Sequence, residues 1–210
     1  MASDGSRDDP RSRGLTRRAL FQGAGAAAAA GAFLQPLEAL AEDAAASGPR
    51  TQGPGRVAFP LRVNGKERRV EAEPRETLLD VLRLPLDLTG AKPVCDRGQC
   101  GACTVWLDGT PVYACGVLAV EAEGREVTTV EGLGVPDALH PVQEAFVKED
   151  ALQCGFCTPG MVMSAAWAVG QHGKDLTEAQ ARAACAGNLC RCGTYPNVLK
   201  AALAAAKRGA

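Results

Sequence analysis

The sequence predicts an α+β protein in which a small sheet grasps one helix and a four-helix bundle follows. Three observations predict it. Between residues 57 and 130, apolar residues alternate at period two around Asn-Gly and Asp-Gly pairs. From residue 141 onward they recur at helical spacing behind Pro and Thr start signals. Each half also carries its own group of cysteines, out of nine in the chain.

Composition bounds the rest. With 210 residues, 46% hydrophobic and 22% charged, the chain is globular and long enough for one or two domains. A net charge of -1 leaves no basic surplus for phosphates, so nucleic acid is excluded as the expected partner. Aromatics make up only 4%, so the core must be built from Ala, Val and Leu, which bury less area per residue. Some other element is then expected to help hold the fold.

Residues 1–41 read as an address. Arg7, Arg11, Arg13, Arg17 and Arg18 precede an uncharged run from Ala19 to Leu37, and Ala39-Leu40-Ala41 offers an A-x-A cleavage site. Thr16-Arg17-Arg18-Ala19-Leu20-Phe21 resembles the twin-arginine export motif. A membrane anchor is the alternative, but Gln22, Gln35 and Pro36 interrupt the run, so no stable span is expected. Residues 42–55, rich in Gly and Pro, read as a flexible linker. Export into an oxidising compartment would favour disulfides. A route that carries folded proteins lets cysteines bind metal in the cytoplasm first.

The first domain is expected over 56–131. Val57, Phe59, Leu61 and Val63 form one strand, Asn64-Gly65 the turn, and Arg68, Val70 and Ala72 share a face of the next. Thr77 and Asp80 form a capping box before a short helix carrying Leu78, Leu79, Val81 and Leu82, stopped by Pro85. A second hairpin turns at Asp108-Gly109, and a last strand is expected from about Arg125 to Val130. Into this sheet is inserted a loop with Cys95, Cys100 and Cys103, followed by Cys115, the C-x4-C-x2-C-x11-C spacing of plant-type [2Fe-2S] sites. Gly98 and Gly101 let such a loop curl until backbone N–H groups face the sulfurs. Zinc and disulfides are the alternatives. Structural zinc pairs two short knuckles, which the Cys100 to Cys115 interval does not match.

The second domain is expected over 132–210. Helices start at Pro141 (to about Glu149), at Pro159 (with Met161, Val162, Ala165, Ala166 and Val169), after the Thr177/Gln180 cap, and at Pro196 (with Val198, Leu199, Ala202 and Leu203). In an antiparallel bundle the first-to-second and third-to-fourth turns lie at one end. Those turns hold Cys154, Cys157, Cys190 and Cys192, so topology gathers a second quartet. Cys185, in an Ala-rich helical stretch, reads as core filler. His140 and His172 offer no ligand pair, no G-x-G-x-x-G loop follows a strand, and Arg97 and Arg191 beside the cysteines are solvated or tune a cluster by charge.

Three segments carry a family resemblance: Cys95-Asp96-Arg97-Gly98-Gln99-Cys100-Gly101-Ala102-Cys103-Thr104-Val105, Gln153-Cys154-Gly155-Phe156-Cys157-Thr158-Pro159-Gly160, and Gly187-Asn188-Leu189-Cys190-Arg191-Cys192. Together they resemble the iron-sulfur small subunit of the xanthine oxidase family of molybdenum hydroxylases, most of all that of periplasmic aldehyde oxidoreductases. The resemblance implies a β-grasp plant-type ferredoxin domain followed by an all-α [2Fe-2S] domain, and no catalytic residue in this chain. It implies that two [2Fe-2S] clusters relay electrons from a molybdenum pterin large subunit to an FAD-binding medium subunit, in the periplasm. It places the quartet of Cys154, Cys157, Cys190 and Cys192 nearer the pterin, with Gln153 contacting it, and the quartet of Cys95, Cys100, Cys103 and Cys115 toward the flavin. Service in a heteroaromatic or purine hydroxylase, or as a free-standing ferredoxin, stays open. One departure is visible: many members continue Cys-Arg-Cys-Thr-Gly-Tyr, whereas here Gly193-Thr194-Tyr195 follows Cys192.

Overall fold

The structure, a computed structural model, describes residues 52–209. The expectations for residues 1–41, and for the linker up to residue 51, lie outside the described residues. Strands β1 (Val57–Val63) and β2 (Lys66–Ala72) form the first hairpin, with Val63 paired to Lys66. Asn64 and Gly65 both take positive φ, 51° and 72°, the type I′ geometry that matches the twist of the flanking strands. Helix α1 (Leu78–Arg83) starts at the expected capping box, Thr77 Oγ1 accepting from Asp80 N–H and the Asp80 carboxylate accepting from Thr77 N–H. Strands β3 (Thr104–Leu107) and β4 (Thr110–Tyr113) turn at Asp108-Gly109, and β5 (Glu126–Thr128) completes a sheet ordered β2-β1-β5-β3-β4. β5 runs parallel to β1 and antiparallel to β3.

The last strand is shorter than expected. Thr129 leaves the ladder because its N–H and hydroxyl bond the Asn64 side chain, and Val130 opens a 3-10 turn. Leu78, Leu79, Val81 and Leu82 of α1 are buried against Phe59, Leu61, Val63, Val70, Val105, Leu107 and Val127 of the sheet, which is the grasp that the alternation predicts.

Four helices follow: α2 (Pro141–Lys148), α3 (Thr158–His172), α4 (Glu178–Cys185) and α5 (Tyr195–Arg208). α3 and α5 each begin one residue before the expected proline, which then occupies the first turn, where its missing N–H costs nothing. Their shared core is alanine-rich, with Ala145, Ala165, Ala166, Ala181, Ala201, Ala202 and Ala205 buried around Phe146, Met161 and Val198. Small side chains let the backbones approach closely, so the bundle is narrow. Trp106 from β3 packs on this core and donates its indole N–H to the Met163 carbonyl at 3.0 Å, fastening sheet to bundle. Among the described residues no helix is long and apolar enough to cross a membrane.

Candidate iron-sulfur sites

The loop from Cys95 to Cys103 curls because Asp96, Gly98 and Gly101 take positive φ of 53°, 70° and 69°. That curl turns amides inward. Gly98 N–H donates to Cys115 Sγ at 3.2 Å, and Gln99 N–H donates to Cys95 Sγ at 3.3 Å. The Arg97, Gln99 and Cys100 amides hold the Cys95 thiol down to about 6, favouring the thiolate that iron requires. Burial pushes the Cys103 thiol up to about 12, with Cys115 beside it. Cys100, Cys103 and Cys115 are buried and Cys95 half-buried, under a loop whose residues Asp96 to Gln99 are exposed.

Topology brings Cys154, Cys157 and Cys190 to one cleft, as the bundle reading expects, while Cys192 is exposed and does not line it. Cys154 and Cys157 lie in the turn from α2 to α3, and Cys190 and Cys192 in the turn from α4 to α5; residues of both turns line that cleft. Cys157 is the N-cap of α3, where the helix's free N–H groups favour negative charge. Burial pushes the Cys157 thiol up to about 12, with Cys190 within hydrogen-bond reach. Burial also raises Cys190, but the Thr194 hydroxyl and N–H, with Cys157 and Cys192, outweigh it and bring the thiol down to about 7. Gly155 and Gly193, with φ of 82° and 81°, make the turns beside the cysteines. The cleft, of about 420 Å³, is lined by Cys154, Cys157 and Cys190 with Phe156, Leu189 and Val94. Phe156 and Leu189 are more than half exposed, an apolar rim around thiol groups.

Both sites fit a two-iron cluster. Amides aimed at sulfur suit an anionic, sulfur-rich group better than they suit neutral thiols. Among the described residues no three Cys, His, Asp or Glu converge on a single ion position. A two-iron cluster asks for less, because it spreads four thiolates over two metals.

The two cysteine segments touch each other. Leu189 N–H, adjacent to Cys190, donates to the Cys100 carbonyl at 2.9 Å. Asn188 is buried between them. Its Nδ2 donates to the Gly101 carbonyl (2.8 Å) and to Thr104 Oγ1 (3.2 Å), while its Oδ1 accepts from Ser164 Oγ of α3 (2.7 Å). Tyr113, two residues before Cys115, donates its hydroxyl to the Gly187 carbonyl at 3.1 Å. A Cβ on Gly160 would sit 2.1 Å from the Gly101 carbonyl oxygen, and one on Gly187 would sit 1.9 Å from the Tyr113 hydroxyl. Only glycine permits either approach.

Sequence reasoning missed Asn188, Ser164 and Tyr113. Asn188 had a signal, since it stands two residues before Cys190 in a quoted motif, but a side chain spanning two domains leaves no periodic trace. Gln153 is exposed beside Cys154, with a side-chain amide that carries both donors and an acceptor. Cys185 is buried in the bundle core, where burial pushes its thiol up to about 11. His140 caps α2, its Nδ1 accepting from Val142 N–H at 3.2 Å. His172 is exposed. Arg97 donates back to the Cys95 carbonyl, and Arg191 is exposed at the cleft.

Two cluster-binding units, one on a sheet and one on a bundle, define a two-domain [2Fe-2S] electron-transfer protein. The family model described as a 2Fe-2S iron-sulfur cluster binding domain matches residues 61–132, and the one described as a [2Fe-2S] binding domain matches residues 129–203. The chain is 42% identical over 207 residues to the aldehyde oxidoreductase iron-sulfur-binding subunit PaoA of Escherichia coli, covering 92% of this chain and 89% of that one. It is 45% identical over 148 residues to the nicotine 6-hydroxylase small subunit of Paenarthrobacter nicotinovorans, covering 70% and 88%. Among solved structures it matches quinoline 2-oxidoreductase of Pseudomonas putida (TM-score 0.67, 41% identity, 73% of this chain and 98% of that one). It also matches the aldehyde oxidoreductase of Desulfovibrio desulfuricans (TM-score 0.67, 43% identity), covering 71% of this chain but 17% of that longer one. The chain belongs to the iron-sulfur small subunits of the xanthine oxidase family of molybdenum hydroxylases. It is an electron-transfer subunit carrying two [2Fe-2S] domains.

Proposed function

We propose that this chain relays electrons from a molybdenum pterin large subunit to an FAD-binding subunit of a periplasmic, aldehyde-oxidising complex. Cys154, Cys157, Cys190 and Cys192 hold the cluster nearer the pterin, and Cys95, Cys100, Cys103 and Cys115 hold the cluster nearer the flavin. When bound, each cluster takes up and passes on one electron at a time. The observation that carries the reading is the direct bond between the two ligand segments, Leu189 N–H to the Cys100 carbonyl, which gives a short covalent and hydrogen-bonded route from one quartet to the other. The half-open bundle cysteines with their apolar rim suit a partner that covers them, and Gln153 offers that partner an exposed amide. A free-standing ferredoxin would have no use for such a rim; co-purification with co-expressed partner subunits separates the two readings. Residues 1–41 serve as a twin-arginine signal that exports the folded, cluster-loaded chain. Aldehyde is favoured as the substrate class by the PaoA relative, which matches along almost the whole chain. The nicotine 6-hydroxylase relative supports a second reading, hydroxylation of an N-heterocycle.

The assembled complex tests the relay. With aldehyde added anaerobically, Cys100→Ser should leave the pterin-side cluster promptly reduced while flavin reduction lags far behind the parent. Cys190→Ser should stop reduction at the pterin-side site itself. Flavin reduction at the parental rate in Cys100→Ser would overturn the serial order. A parent reduced by an N-heterocycle and by no aldehyde would replace the substrate class.

A further inference from the structure

After Cys192 the chain runs Gly193-Thr194-Tyr195, and the structure gives that order a consequence. Gly193 takes the left-handed turn, at φ 81°, and Thr194 becomes the N-cap of α5. A threonine at that position ordinarily accepts from an N–H of the first helical turn through its hydroxyl. Thr194 makes no such bond. Its side chain instead turns inward, 5% exposed, and its Oγ1 lies 3.2 Å from Cys190 Sγ. A thiolate has no proton to give, so with Cys190 ionised the hydroxyl is the donor. The first turn of α5 is left without its usual side-chain cap, and a cysteine sulfur gains a buried hydroxyl donor.

We propose that Thr194 is a positioning residue acting through Cys190, raising the reduction potential of the bundle cluster; this rests on the reading of Cys190 as a cluster ligand. Adding an electron increases the negative charge on the cluster and its sulfurs, and a fixed donor stabilises the more negative state more. Burial of Thr194 strengthens the effect, because its hydroxyl is held away from water and keeps the sulfur as its partner. The first quartet has no side-chain hydroxyl on any of its sulfurs among the described residues, only backbone N–H groups. Thr194 therefore acts on one cluster of the two, biasing electrons toward the bundle site.

The test is a redox titration of the cluster-loaded full chain, following both paramagnetic signals separately. Thr194→Val keeps shape and removes the donor; Thr194→Ser keeps the donor. In Thr194→Val the bundle cluster should become roughly tenfold harder to reduce, about 59 mV for a one-electron couple. The other cluster should not move, and Thr194→Ser should stay near the parent. An unmoved bundle potential in Thr194→Val, an equal shift of both clusters, or an equal shift in Thr194→Ser would overturn the assignment. Thr194→Ala, which only removes atoms, is read the same way should the valine variant not load iron. Iron content of the parent separates failures: about two irons per chain instead of about four would bring down the two-cluster reading. About four irons with an unmoved potential would bring down Thr194 alone.

Discussion

Asn188 uses its whole side-chain amide inside the protein. Two N–H donors and the carbonyl are all engaged, and they tie Asn188, before Cys190, to two other segments that each adjoin a cysteine: Gly101 and Thr104 beside Cys103, and Ser164 on the helix that starts after Cys157. Truncation would leave the buried Ser164 Oγ without its acceptor, which costs more than a surface bond, while the Gly101 carbonyl keeps the Thr104 N–H and hydroxyl. Asn188→Ala should therefore lose about 1–3 kcal/mol, read from chemical denaturation of the loaded protein. It should also weaken the magnetic interaction between the two reduced clusters by loosening their separation. A loss below about 0.5 kcal/mol would show that the network is dispensable. Gly160→Ala presses on the same junction from the other side. Its methyl meets backbone oxygen rather than a flexible side-chain tip, so the cluster loop has to move; a thermal midpoint equal to the parent's would contradict that crowding.

At the scale of elements, local chemistry and tertiary context contributed differently. The Asn64-Gly65 and Asp108-Gly109 turns, the Thr77 and Thr177 capping boxes and the helix-opening prolines were legible because each is a short-range rule acting within four residues. Four of the eight cysteines lie on the sheet side and four in the two bundle turns, the grouping that their spacing predicts. The strand ending at Thr128 was not legible. Thr129 and Val130 have good strand character, but a side chain 65 residues away, Asn64, takes the Thr129 N–H out of the ladder. The 3-10 turn that carries Cys115 was invisible for a similar reason, being set by Ala114 N–H reaching back to the Cys103 carbonyl. His140 shows how an element end can titrate. Burial pushes its pKa below the ordinary histidine value by disfavouring the charged ring, and the neutral ring accepts from Val142 N–H and caps α2. The unfolded chain then binds the proton more readily than the fold. Stability from this group is complete above about pH 6.5 and is lost as pH falls through the lower folded value. His140→Asn, a good cap that does not titrate, should flatten the fall in thermal stability between about pH 6.5 and 5, and a curve superposable on the parent's would rule the cap out as its source.

At the scale of the whole molecule, sheet and bundle are two scaffolds with one junction. Trp106 reaches from β3 to the Met163 carbonyl, Tyr113 from β4 to the Gly187 carbonyl, and Leu189 from the bundle turn to the Cys100 carbonyl. Neither half has the aromatic content to build a large core, and each quartet would cross-link loops that little else holds. Iron bound to the fold and not to the unfolded chain would add its binding free energy to stability in both halves at once. Two consequences can be measured together on the loaded chain. Phe146, fully buried in the bundle core, should cost about 3–5 kcal/mol when changed to Ala. Because the junction couples the halves, that loss should lower the temperature at which both clusters bleach, including the one held by Cys95, Cys100, Cys103 and Cys115 in the other domain. Removing iron with a chelator should lower the melting point of the parent further still, and should do so in a single transition. If the sheet-side cluster of Phe146→Ala bleached at the parental temperature while the bundle melted early, the two domains would be independent. The hydrogen bonds across the junction would then position the clusters without sharing stability.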